Sequence, residues 1–126
     1  MKFMFTIYHD EKVMDAMPEN EMQALVDSAI EYAEELRRSG HYIVSNALQP
    51  PGTARTIRVR AGKVSTAVGP YVETKEQLGG FFLIEAKDMD EACAVAAKFP
   101  PARFAVLEVR PVQELTHSHD RRGLPR

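Results

Sequence analysis

The sequence predicts a small α+β domain in which two helices cover one face of a β-sheet. Its length of 126 residues is that of a single domain. Two segments with helical periodicity each lie between apolar segments of strand length. A pair of shorter strands interrupts this series, so the predicted order is β-α-β, an inserted hairpin, and β-α-β.

The first half of the chain supplies the opening strand and the clearest helix. Residues 2–8 are apolar and aromatic with no Gly or Pro, which is typical of a strand at the centre of a sheet. Residues 19–39 place apolar side chains at three- and four-residue steps, and their acidic residues precede their basic ones, which suits the helix dipole. Gly40 predicts a left-handed helix stop, and residues 41–48 follow as the second strand.

An inserted hairpin and a polar segment occupy the middle of the chain. Residues 56–60 alternate apolar with basic side chains, Ala61-Gly62 makes the turn, and residues 63–66 return. We expect the apolar side chains to point inward and the basic ones outward, as in a hairpin with one solvated face. The polar residues 74–77 are predicted to form a single helical turn.

The second half repeats the strand-helix-strand pattern. Residues 79–86 begin with two glycines, which favour a bulge or a close backbone approach, and continue as a strongly apolar strand. Asp88 with Glu91 resembles a capping box that starts a helix, and Pro100 ends it. Residues 104–112 are predicted to form the last strand.

The order of these elements is the split βαβ, or ferredoxin-like, plan. We assign it to a domain of residues 1–112 and interpret residues 113–126 as a polar C-terminal tail. Two helices can cover only one face of the four main strands, so apolar side chains on the other face are left exposed. A surface of that kind usually marks an interface. The sequence therefore predicts a homodimer in which the uncovered sheet faces pack together.

Composition and missing motifs limit the function classes. The formal charge is −2 and no basic stretch is interleaved with aromatic residues, so we expect no nucleic-acid partner. No run of about 18 apolar residues is present, so we expect no membrane partner. The single cysteine, Cys93, is predicted to be buried on the second helix and fits a cytoplasmic protein. The chain carries no glycine-rich phosphate loop, nucleophile elbow or zinc motif, and we predict no cofactor.

Three side chains are candidate catalytic residues. His9 and Asp10 lie where the first strand ends, and a histidine beside a carboxylate is suited to proton transfer. Neighbouring residues of an extended chain point to opposite sides, so a polar strand exit is the alternative interpretation. Glu73 belongs to the polar segment before the two glycines, which either lines the mouth of a cleft or forms a local salt-bridged turn.

Other polar side chains are candidate ligand-binding residues. Arg110 suits a carboxylate ligand, although a pair with Glu108 on the same strand is the alternative. The group His117, His119 and Asp120 is too small for a closed site, so no metal is predicted. The basic residues of the hairpin are interpreted as a solvated edge. The candidate ligand-binding residues are Tyr8, Ser45, Gln49, Tyr71, Lys75, Gln77 and Arg110.

Five segments together resemble the YCII-related proteins, specifically their DGPF-domain branch. The most specific of them runs from Gly69 to Ile84. The five segments are residues 7–11, residues 47–51, the short strands around Ala61-Gly62, residues 69–84 and residues 108–112. The resemblance implies the dimeric ferredoxin-like α/β barrel of that family.

The resemblance also bears on function. Members of the wider superfamily are proposed to be enzymes that use a histidine and an aspartate. In this chain Val68 stands where the naming motif has its aspartate, and the helix at residues 19–39 contains no histidine. The aspartate expected before the proline that ends the second helix is also replaced, near Phe99-Pro100. A His/Asp mechanism therefore does not transfer residue by residue.

Two hypotheses of different classes follow. The leading one is a homodimer that binds a small molecule in a cleft and acts as a cofactorless enzyme by proton transfer, with His9, Asp10 and Glu73 in the catalytic roles. The alternative is a non-enzymatic interaction or regulatory module. The resemblance supports the alternative because DGPF-type proteins are often encoded beside extracytoplasmic-function sigma factors.

Overall fold

The structure is a computed structural model that describes residues 1–118. Six strands, three α-helices and two short 3-10 helices form its described part. In chain order they are β1 (Lys2–Asp10), α1 (Glu11–Asp15), α2 (Glu19–Arg38), β2 (Tyr42–Ala47), a 3-10 helix (Pro51–Thr53), β3 (Arg55–Arg60), β4 (Lys63–Val68), β5 (Glu76–Glu85), α3 (Met89–Ala97), a second 3-10 helix (Pro100–Phe104) and β6 (Ala105–Pro111).

Four strands form one antiparallel sheet in the order β2-β5-β1-β6. β3 and β4 pair with each other in a separate two-stranded sheet. The first strand lies at the centre of the main sheet, as its continuous apolar sequence predicts. Two βαβ units with this strand order make the ferredoxin-like arrangement, so the predicted α+β fold is confirmed.

Aromatic side chains fill the layer between the sheet and the two main helices. Phe5 on β1 is 0% exposed and stacks on Phe82 of β5, with the ring centroids 4.8 Å apart. Phe82 also meets Phe99 edge-on at 5.2 Å. Tyr32 of α2 donates its hydroxyl to the carbonyl of Val95 on α3, which ties the helices together. Burial of each large side chain stabilises the fold by roughly 1.5–3 kcal/mol.

Local signals set the ends of α2 and α3 where the sequence placed them. Gly40 follows α2 with a φ of 83°, in the left-handed region that glycine adopts without strain. The Asp88 carboxylate accepts the backbone N–H of Glu91 at 2.9 Å and so caps the start of α3. The Glu91 carboxylate in turn accepts the N–H of Lys87 at 3.2 Å.

Two expectations about local backbone structure were wrong. The short helix α1 follows β1 at once, where the sequence suggested only a polar strand exit. Residues 74–77 do not form a helical turn, and β5 begins at Glu76. The added residues of β5 are paired, because β1 extends to Asp10 and Asp10 pairs with Glu76. Pairing in the sheet thus overrides the local preference of a polar segment.

Two expectations about burial were also wrong. Cys93 is exposed because the buried stripe of α3 runs through Ala92, Val95 and Ala96, which leaves Cys93 on the solvent side. The apolar side of the hairpin does not point inward: Ile57 is 64% exposed. The two-stranded sheet has no layer of residues 1–118 packed over that side.

The side of the main sheet that faces away from the helices is called the open face here. Alternation along the strands assigns residues to it, and no helix of the described chain covers it. Its apolar members are Met4, Tyr8, Val44, Leu78, Phe81, Leu83 and Val106. Its rim is the most accessible part, with Leu78 41% and Val106 53% exposed. None of the helices in residues 1–118 is both long and apolar enough to cross a membrane.

Candidate functional site

Several predicted site residues meet where β1 ends and β5 begins. Asp10 pairs with Glu76 in the antiparallel register, and His9 pairs with Gln77. Lys75 directly precedes this stretch of β5. The group of Tyr8, His9, Asp10, Lys75 and Gln77 is called the strand-end site here.

Asp10 is the acidic side chain of the strand-end site, and both of its carboxylate oxygens have a neighbour. One carboxylate oxygen accepts the backbone N–H of Lys12 at 3.0 Å, which caps α1. The other lies 3.9 Å from the Lys75 ammonium. The side chain of Asp10 is only 15% exposed, whereas that of Lys75 is 83% exposed. The geometry presents a shielded carboxylate, held by a backbone N–H, with an exposed cation beside it.

His9 points away from Asp10 in this arrangement. Alternation places Asp10 on the open face and His9 on the helix-covered side of the sheet. The His9 ring packs on Gly79, so closely that a β-carbon built there would lie 2.6 Å from Nδ1 and 3.0 Å from Nε2. The glycine is therefore needed for the close approach of this ring. The two glycines also accompany a register shift in the β1–β5 pairing, as a bulge requires.

Gln77 organises the loop that carries Glu73. Its amide nitrogen donates to the carbonyls of Val72 at 2.7 Å and Thr74 at 2.9 Å. Both amide hydrogens are thereby used within the loop, so Gln77 positions the loop and has its donors occupied. Glu73 is exposed on the loop surface.

Tyr8 links the strand-end site to the open face. It lies between Leu78 of β5 and Val106 of β6 in the register, and it is half-buried. Its ring and the two aliphatic side chains make an apolar floor beside Asp10. Such a floor, with the carboxylates of Asp10 and Glu76 and one cation at its edge, suits a small ring with polar substituents.

Three other predicted residues lie elsewhere. Arg110 pairs with Met4, six residues before Asp10 on β1, which is about 20 Å away along the strand. Ser45 lies on the helix-covered face, where its hydroxyl is 2.9 Å from that of Tyr42. Gln49 is exposed in the loop after β2, although the adjacent Leu48 N–H bonds Gly79 O at 2.8 Å and brings this loop to the same end of the sheet.

Tyr71 lies beside the inserted hairpin. It borders a cavity of about 390 Å³, called the hairpin groove here. The groove is lined mainly by Arg55, Thr56, Ile57, Arg58, Arg60 and Tyr71. The Arg58 guanidinium lies 5.0 Å from the centre of the Tyr71 ring. The sequence interpretation assigned these arginines to a solvated edge, and they are exposed in the structure; the approach of Tyr71 to Arg58 was not anticipated.

A hydrogen-bonded chain between α2 and α3 also escaped the sequence interpretation. The Ser39 hydroxyl lies 2.8 Å from His41 Nδ1, and His41 Nε2 lies 3.2 Å from the Glu91 carboxylate. The Ser39 hydroxyl also donates to Leu36 O, and Glu91 accepts Lys87 N–H, so both ends are engaged in helix termini. This row of hydrogen bonds joins the end of α2 to the start of α3.

The predicted absence of a metal concerned His117, His119 and Asp120. His119 and Asp120 lie outside the described residues. Within residues 1–118, no three His, Cys, Asp or Glu side chains come together as metal ligands would.

The strand order and the one-sided helix layer define a ferredoxin-like α+β protein. The chain belongs to the YCII-related domain family, which matches residues 1–116. It is 32% identical over 114 residues to an uncharacterised protein of Rhizobium meliloti (strain 1021), an alignment that spans 89% of this chain and 92% of that protein. Membership of the DGPF branch stays a prediction.

One solved structure of similar fold is an enzyme. It is 5-chloro-2-hydroxyhydroquinone dehydrochlorinase from Burkholderia phenoliruptrix AC1100, in complex with 2,5-dihydroxybenzoquinone. The TM-score is 0.55 at 14% identity, and the match covers 91% of this chain and 96% of that one. At this identity the likeness shows the fold alone.

Proposed function

We propose that this protein binds a small hydroxylated ring on the open face and transfers a proton from it to Asp10. The observation that carries the proposal is the low exposure of the Asp10 side chain together with its two contacts. Its carboxylate is 15% exposed, held by the Lys12 N–H, and lies 3.9 Å from the Lys75 ammonium. General-base catalysis needs a proton acceptor held in place, and Asp10 with the adjacent Lys75 ammonium meets that requirement.

The chemistry of the strand-end site selects the ligand class. Tyr8, Leu78 and Val106 offer an apolar floor, on which a planar ring can lie. Asp10 accepts a hydrogen bond from a ring hydroxyl, and Lys75 is placed to stabilise an oxyanion. The solved enzyme of similar fold holds a dihydroxylated quinone, which supports a ligand of this size for the fold.

The proposed step moves one proton. The O–H bond of the ring hydroxyl breaks, its proton passes to the Asp10 carboxylate, and the electron pair stays on the ring oxygen as an oxyanion near Lys75. This step needs no cofactor. His9 and Glu73 have no part in it, because His9 lies on the opposite face of the sheet and Glu73 is on the outer loop.

A second copy of the chain is the proposed cover of the open face. The apolar side chains there are half-buried or exposed in one copy. Glu108 and Arg110 lie two residues apart on this face of β6, so they offer opposite charges to a partner related by a two-fold axis. Packing of sheet on sheet excludes water from the floor beside Asp10 and turns it into a cleft.

The test uses hydroquinone, a hydroxylated ring that is neutral at pH 7, titrated into the protein while backbone amide signals are followed by NMR. We expect saturable shifts at Tyr8, Leu78 and Val106. The Asp10→Asn variant keeps an N-cap for α1 but loses the negative charge, so its Kd should be about tenfold weaker. Asp88→Asn is the matched control, since Asp88 caps α3 in the same way, and it should bind like wild type. Equal affinity in Asp10→Asn, or equal loss in both variants, would contradict the proposal.

A regulatory or interaction module is the second candidate function. The observation that favours it is the bare apolar side of the hairpin, where Ile57, Val59 and Val64 are 64%, 56% and 68% exposed. The same titration separates the two functions. An absence of saturable binding to the open face up to millimolar hydroquinone favours the module.

A further inference from the structure

We infer that the hairpin groove is a binding site for a small aromatic anion, such as a benzoate-like carboxylate, separate from the strand-end site. The inference does not rest on the proposed function, because no residue is shared between the two sites. It rests on the shape of the groove, on its uncompensated positive charge and on its aromatic wall.

The wall of the groove is built into the fold. Gly69 follows β4 with a φ of 103°, a backbone conformation that residues other than glycine rarely adopt. Its N–H donates to Ala54 O at 2.8 Å, and its carbonyl accepts the Thr56 hydroxyl at 2.9 Å. These two bonds fold the turn back onto the start of β3 and hold Tyr71 over that strand. The groove therefore exists before any ligand enters.

The cations of the groove are not neutralised by the protein. Within residues 1–118, no carboxylate lies within 4.0 Å of the guanidinium of Arg55, Arg58 or Arg60. Arg60 uses one donor on the carbonyl of Val59, at 2.9 Å, and keeps the other four. A guanidinium binds a carboxylate through two parallel hydrogen bonds, so these side chains are suited to an anion.

The sequence around the groove adds to its positive charge. The segment 54–72, which contains the hairpin, has four basic residues and no acidic one, whereas the rest of the chain contains 12 basic and 18 acidic residues. The weak net charge of −2 thus conceals a strongly basic segment. A local concentration of one sign of charge raises the local concentration of counter-ions and their rate of association.

The groove also selects for a ring. Tyr71 presents its aromatic ring 5.0 Å from the Arg58 guanidinium, so an aromatic and a cationic surface adjoin in the groove. The groove is open to solvent on one side, and its volume of about 390 Å³ is large enough for one substituted ring. An anion without a ring leaves the aromatic wall unused.

The experiment titrates sodium benzoate and, separately, inorganic phosphate into the full chain at constant ionic strength, with backbone amides followed by NMR. We expect benzoate to shift the signals of residues 54–60 and 69–71 and to bind at least about tenfold more tightly than phosphate. Arg58→Gln should weaken benzoate binding about tenfold, as loss of a charge-assisted pair does. Tyr71→Ala should weaken benzoate binding and leave phosphate unchanged.

Arg103 provides the matched control. Its guanidinium also lies 5.0 Å from an aromatic ring, that of Phe104, but outside the groove. Arg103→Gln should bind benzoate like wild type. The inference is overturned if benzoate shifts no hairpin signals, if phosphate binds as tightly as benzoate, or if Arg103→Gln weakens binding as much as Arg58→Gln. Both arginines are exposed, so neither change threatens the fold.

Discussion

Tyr32 shows how one side chain couples the helix layer to pH. It is 6% exposed, and its hydroxyl donates to Val95 O. Burial, with a smaller contribution from the Glu35 charge, raises the pKa of Tyr32 from 10.0 to about 12. The ionised form is therefore disfavoured in the folded state.

The raised pKa of Tyr32 predicts that the protein loses stability at alkaline pH. The unfolded chain releases the tyrosine proton near pH 10 and the folded chain near pH 12. Between these values the unfolded state binds fewer protons, so the free energy of unfolding should fall by up to about 1.4 kcal/mol per pH unit. Below pH 10 the contribution of Tyr32 is constant. Urea unfolding from pH 8 to 11.5 measures this slope.

Variants assign the slope to Tyr32. Tyr32→Phe loses the hydrogen bond, which should cost about 1 kcal/mol at neutral pH, but it should flatten the alkaline slope. Tyr71→Phe is the control, since Tyr71 is 68% exposed, and it should keep the wild-type slope. An unchanged slope in Tyr32→Phe would show that another group titrates.

At the scale of the secondary-structure element, the pairing of β2 with β5 depends on Gly80. A β-carbon built on Gly80 would lie 2.8 Å from the backbone oxygen of Asn46 and 3.3 Å from Ala47 Cα. These atoms belong to the backbone of β2 and cannot rotate away. At Gly79 the obstacle is the His9 ring, which can rotate.

The two glycines are therefore expected to differ in their tolerance of alanine. Gly80→Ala should lower the free energy of unfolding by about 1–3 kcal/mol, because β2 must move to make room. Gly79→Ala should have a smaller effect, and His9→Ala in the same chain should remove most of it. Gly52→Ala is the control, since nothing lies within 4 Å of a β-carbon there. A larger effect at Gly79 than at Gly80, measured by urea unfolding, would contradict this account of the bulge.

Elements defined by nearby residues could be predicted from the sequence. The α2 stripe, the Gly40 stop and the Asp88 cap depend on neighbours along the chain, and all three are present in the structure. The exposure of Ile57 could not be predicted in the same way. Alternation shows which residues share a face of a hairpin, but it does not show whether another layer packs on that face.

The candidate site was predictable only in part for the same reason. His9 and Asp10 could be placed at the end of a strand, and their opposite directions follow from the pleat. The contact between Asp10 and Lys75 required the register of β1 against β5, which pattern alone does not supply. The hairpin groove required the turn at Gly69 that brings Tyr71 over Arg58.

At the scale of the whole molecule, the two uncovered surfaces have different roles in this account. The open face is continuous with the central strands and carries the floor of the strand-end site. The hairpin stands apart as a two-stranded sheet with a basic side and an apolar side. In the proposed dimer, a second copy on the open face would bury the apolar side chains there and enclose the strand-end site, which one copy leaves open to water.

Sedimentation velocity at micromolar concentration tests this central claim most directly. We expect the wild-type chain to sediment as a species of twice 14.2 kDa. Val106→Glu, on the open face, should sediment as a monomer, and Val59→Glu, on the hairpin, should remain a dimer. The two side chains are similarly exposed in one copy, at 53% and 56%, so neither change should unfold it. A wild-type monomer of 14.2 kDa, or a dimer that survives Val106→Glu and is lost in Val59→Glu, would contradict the account.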